Sequence, residues 1–221
     1  MKGMSQKRSN AMEVAIICLE SADMRDKVLK GVGALAKLGF CLMHDKSLLD
    51  FADATSEVRS LMRILAWLSN LQTIYSLLNK EQCGVRDLIF LVRVVGEGVF
   101  KAADNVAFIG RKVHENTPFF QRFSYVSSLG LFWAHLAAIT LALFDIRYDR
   151  LFSSRRKQFI NLFQCTCDIL TSASGAVVLG FELNFIWFYL LTLISSFLGC
   201  VDGVRSAAIV ARRRVASRSR D

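Results

Sequence analysis

Two stretches of the chain, Tyr125 to Phe144 and Leu183 to Val201, carry no Lys, Arg, Asp or Glu. A helix rises about 1.5 Å per residue, so about twenty apolar residues reach across a hydrocarbon core of about 30 Å. Both stretches have that length, and the pattern predicts two transmembrane helices. The segment between them, 159–181, is also apolar, with Asp168 its one charge and many small polar residues. It reads as a third crossing or as an interfacial helix. A charge at bilayer depth costs at least about 2.5 kcal/mol on the insertion scale, so Asp168 and Glu182 argue against a simple span.

The N-terminal half is amphipathic rather than uniformly apolar. Val28, Val32, Leu35, Leu42 and Met43 share one helical face, and Lys30, Lys37 and His44 share the other. Asp50 to Ser56 is polar and reads as a helix start. Beyond it, Leu61, Ile64, Leu65, Leu68, Leu71, Tyr75 and Leu78 form an unbroken stripe at helical spacing, with Trp67 at its edge. Arg59, Arg63, Ala66, Asn70 and Thr73 lie opposite. Such a stripe either packs on other helices or enters one membrane leaflet at headgroup depth, where it favours curvature. On the second reading Arg59 and Arg63 would meet anionic headgroups. A further helix is predicted from Arg86 to Lys112, apolar but punctuated by Arg93, Glu97, Lys101 and Asp104, and ending before Pro118.

These elements define an all-α integral membrane protein. Residues 1–120 are expected to form a cytosolic amphipathic module and 121–204 a membrane region with spans near 125–144 and 183–201. Residues 205–221 form an Arg-rich tail. Composition agrees, with thirteen Gly and one Pro in the chain, too few breakers to interrupt helices often. The tail after Gly203 has six Arg against Asp221 alone, and Asp145 to Lys157 has five basic and two acidic residues. Basic flanks suit anionic lipid and tend to stay cytoplasmic. No nucleic-acid motif accompanies the charge, so nucleic acid is not an expected partner.

Candidate chemistry is sparse. Six cysteines have no framework spacing, and the Cys165/Cys167 pair lacks the partners of a zinc site. No P-loop, paired-glycine or His-Glu-x-x-His motif occurs, so neither an enzyme nor a cofactor is expected. His135, inside the first span, reads as a helix-interface histidine or a pore residue. Gly175, Gly180 and Gly199 suit close helix contact. The early apolar run Val14 to Leu19 is too short for a secretory signal.

Three stretches carry a family resemblance. Met24-Arg25-Asp26-Lys27-Val28-Leu29-Lys30, the segment Glu57 to Leu65 with Arg59 and Arg63, and Phe100 to Arg111 with Asp104-Asn105 occur in one order along the chain. Together they resemble the peroxin-11 family of peroxisomal membrane-shaping proteins, with a flavour of the kinetoplastid glycosomal branch. The resemblance implies a protein of the peroxisomal or glycosomal membrane with both termini cytosolic. Its implied activity is elongation and fission of the organelle, through self-association and recruitment of a fission GTPase. Where the family's amphipathic helix is rich in Lys and Arg, this one has Arg59 and Arg63 nearly alone. The alternative class is a small metabolite channel in the same membrane, built from the spans.

Overall fold

The computed structural model describes residues 2–113, 118–148 and 152–218, and among them there are eight α-helices and no strand. They are α1 (Lys2–Glu20), α2 (Ala22–Met43), α3 (Lys46–Met62), α4 (Trp67–Leu78), α5 (Val85–Val113), α6 (Pro118–Tyr148), α7 (Phe152–Gly175) and α8 (Phe185–Arg218), with a 3₁₀ turn at Val178–Gly180 before α8. Local chemistry sets several boundaries. The Ser21 hydroxyl accepts the Met24 amide at 3.3 Å and opens α2, and Asp45 accepts the Ser47 amide at 2.9 Å and opens α3. Between α4 and α5 the Asp87 carboxylate accepts from Lys80 at 2.8 Å and from the Gly84 amide at 3.0 Å. Those two bonds hold its carboxyl below the usual range.

Each long helix packs against its neighbour in the chain, and the ends of the series meet. α2 lies on α3, the α3–α4 pair on α5, α5 on α6, α6 on α7, α7 on α8, and α8 returns to α2. Partners run antiparallel. Ion pairs Lys112–Glu57, Arg63–Asp104 and Lys80–Asp87 fix the α3–α4 pair against α5. Arg86–Asp145 ties the start of α5 to the end of α6, and Lys157–Asp202 ties α7 to α8. The result is a closed cycle of helices, with α1 laid on α8.

The first predicted span is helical throughout and the second from Phe185 onward, and both helices run past the charge-free stretches. α6 and residues 185–212 of α8 are both long and apolar enough to cross a membrane. Only 33% and 22% of their most apolar windows are buried, whereas the core helix of a water-soluble protein would be mostly covered. Segment 159–181 becomes most of α7, packed between those two helices.

Three expectations change. Residues 1–120 do not form a separate module, since α2 packs along α8 and α5 along α6. Asp50 to Ser56 is helix interior rather than a start, because Asp45 caps α3 earlier. The stripe from Leu61 to Leu78 is not one helix. It breaks at Arg63–Ala66, where Leu65 adopts a left-handed φ of 62°, uncommon for a residue with a Cβ.

The closest backbone approach lies between α5 and α6. A Cβ added at Gly96 would sit 2.8 Å from the Gly130 carbonyl oxygen and 2.9 Å from the Ala134 nitrogen. Small residues at such a crossing let helices associate in lipid. Gly96→Val should therefore destabilise the protein by about 1–3 kcal/mol through overpacking, read as a lowered Tm in detergent. An unchanged Tm would mean that α5 and α6 are free to separate.

Candidate functional site

The amphipathic helices of this protein are turned inside out. Leu61, Ile64, Leu65, Leu68, Leu71, Tyr75 and Leu78 are all exposed, and Trp67 is half-buried. Their polar counterparts face the bundle. Asn70 is buried, with its amide donating to the Val94 carbonyl at 3.2 Å and its oxygen accepting from Lys101 at 2.9 Å. The same inversion holds on α2, where Val28, Val32, Leu35, Leu42 and Met43 are exposed while Lys30 and Lys37 turn inward. It holds again on α5, with Leu88, Val92, Val95, Val99 and Ile109 outward. What is buried is largely alanine together with Thr55, Ser60, Asn105, Ser127, Asp168, Ser195 and other polar groups.

Arg59 and Arg63 are accordingly not on the lipid-ready face. Arg59 makes two bonds to Asp26, at 3.0 and 3.2 Å. Arg63, with a side chain only 14% exposed, lies 3.6 Å from Asp26 and 3.4 Å from Asp104, over the ring of Phe100 at 5.0 Å. Ser60 donates to Asp104 at 3.4 Å, and the Asn105 amide donates to the Arg63 carbonyl at 3.4 Å. Four of the motif residues, Asp26, Arg59, Asp104 and Asn105, thus converge on Arg63 from three helices. Arg25 and Lys27 do not join them: Arg25 is exposed, and Lys27 pairs with Asp23 at 2.7 Å on its own helix.

A second polar cluster joins α2, α7 and α8. Lys30 donates to Asp168 at 2.7 Å, and the Ser195 hydroxyl donates to the same carboxylate oxygen at 2.5 Å. Ser195 sits ten residues into α8, so Lys30 and Asp168 lie beside the interior of that helix. His135 Nδ1 is 3.2 Å from the Ser172 hydroxyl, which makes it a bonded histidine between α6 and α7. Between the clusters is a cavity of about 420 Å³ lined from α2, α3, α5, α6, α7 and α8.

Sequence reasoning missed these clusters. Their signals were isolated charges, Asp168 within an apolar segment and Lys30 within the α2 pattern. Gly199 does sit at a helix contact, against Lys27 and Gln164, while a Cβ added at Gly175 or Gly180 would point into open space. Among the described residues no group of three His, Cys, Asp or Glu is placed to hold a metal ion. No family model, curated protein or solved structure matches this chain.

Proposed function

We propose that this chain is an integral protein of the peroxisomal or glycosomal membrane that binds, curves and elongates it, promoting proliferation and fission of the organelle. One observation carries the reading: the outward apolar stripe of α3 and α4, with its polar side engaged inside the bundle. Packed antiparallel to α5, itself antiparallel to α6, the stripe runs alongside the spans and offers an apolar surface to lipid at the rim of the bundle. The contact is apolar rather than electrostatic, since Arg59 and Arg63 are withdrawn, and headgroup attraction falls to the basic tail. One short helix displaces little lipid, so the activity needs many copies, in keeping with the self-association that the family resemblance implies. The fission GTPase is likewise a partner by resemblance. Met24 of α2 contacts Gly203 of α8, which supports both termini lying on one side, here assigned to the cytosol.

A second reading, a small metabolite channel, is favoured by a different observation: the cyclic order of the helices around a polar cavity. One experiment separates the two. Leu68→Ala with Leu71→Ala, on the exposed face of α4, removes apolar bulk from the stripe without placing a charge against lipid and leaves every interior bond in place. We expect this variant to reach the organelle but to lose the elongation that overexpressed wild-type protein causes under the microscope. Unaltered tubulation would contradict the shaping mechanism. Unaltered shape change together with solute permeability sensitive to His135→Ala would favour the channel.

A further inference from the structure

We propose that the central cavity is a binding site for a phosphate group, independent of whether the protein bends the membrane or lets a solute through. The cavity wall includes four cations, Lys30, Lys37, Arg59 and Arg63, and no carboxylate. Each cation has an acidic partner, but the partners Asp168, Asp53, Asp26 and Asp104 are not part of the wall. The carboxylates therefore balance these four charges without filling the space in front of the cations.

Donor capacity remains after these pairings. An ammonium has three donors and a guanidinium five, and one carboxylate uses only some of them. Lys37 is the least committed of the four. Its acidic partner among the described residues, Asp53, is 3.4 Å away and 61% exposed, and its ammonium lies over the Tyr189 ring at 5.3 Å. The hydroxyls of Thr55, Ser128 and Thr192 also line the wall, but each donates its proton to a carbonyl of its own helix, so the cations carry the recognition. Two ammonium groups from α2 and two guanidinium groups from the end of α3 match a tetrahedral oxyanion with several acceptor oxygens, better than they match a spherical halide. A volume of about 420 Å³ leaves room beyond one phosphate, so the group would be carried on a small organic ester or a lipid headgroup, or be bound free with water. Partial removal from water strengthens each contact relative to a surface site.

The test uses the full-length protein in detergent, with radiolabelled inorganic phosphate in equilibrium dialysis. The wild type should bind saturably, and Lys37→Arg should keep the binding. Lys37→Gln combined with Asp53→Asn, which removes the charge without stranding its partner, should weaken binding about tenfold. Far-UV circular dichroism confirms that each variant is folded. If an anionic phospholipid already fills the site, added phosphate will not bind. Native mass spectrometry will then show the lipid mass on wild type and its loss from the double variant, which supports the site and names its source. Absence of both ligands from folded wild-type protein, or equal retention by the double variant, overturns the proposal.

Discussion

Asp168→Ala should cost the folded protein about 3–5 kcal/mol, the range for stranding one member of a buried ion pair. The Lys30 ammonium would keep its charge inside the bundle with its 2.7 Å partner gone, and the Ser195 hydroxyl would lose its acceptor. Both side chains are largely covered, at 24% and 12% exposure, so water cannot replace the lost bonds cheaply. Thermal unfolding in detergent, followed by circular dichroism, measures the loss. Exchanging the pair together, Lys30→Met with Asp168→Leu, should recover most of it, because an apolar pair of similar volume leaves no uncompensated charge. A neutral Asp168→Ala would mean that the pair is solvated and that the interior is wetter than its burial implies.

The opposite kind of substitution should be equally damaging on the outside. Leu35 and Val92 are exposed, on α2 and α5. If their faces met water, replacing them with Glu would change stability by no more than about 0.5 kcal/mol. Against lipid, each charge costs at least about 2.5 kcal/mol. We expect Leu35→Glu with Val92→Glu to expel α2 and α5 from the bundle while α6 and α8 stay anchored. Protease added to vesicles should then cut within α2 and α5 of the variant and leave them intact in wild type. Equal protection of the two would place these faces outside the hydrocarbon.

Much of the architecture was legible because long charge-free runs and helical periodicity are strong signals. The charge-free run at 125–144 lies within α6, all but the first two residues of 183–201 lie within α8, and the pattern from Arg86 to Lys112 is α5 to within a residue at each end. What the pattern could not give was the direction of each face. A period of 3.6 divides a helix into two sides, but which side looks inward depends on the solvent, and Leu68 and Asn70 face opposite ways to the water-soluble default. The break in the stripe was hidden for a related reason. Arg63–Ala66 contains neither Gly nor Pro, and the turn leaves Leu61, Ile64 and Leu68 on the outside, so the spacing runs on undisturbed. The convergence of Asp26, Arg59, Arg63 and Asp104 was illegible because it joins positions in three helices, tens of residues apart.

On this account the apolar faces of α2, α4 and α5 look toward lipid while their charged faces look into the bundle. Nitroxide labels at Leu35, Leu71 and Val92, in full-length protein reconstituted into phospholipid vesicles, test it most directly. Oxygen concentrates in hydrocarbon and a neutral nickel chelate in water. The inside-out arrangement predicts that oxygen relaxes all three labels more strongly than the chelate does. Dominant relaxation by the chelate at these three sites, with a label at Trp133 on α6 still favouring oxygen, would contradict it.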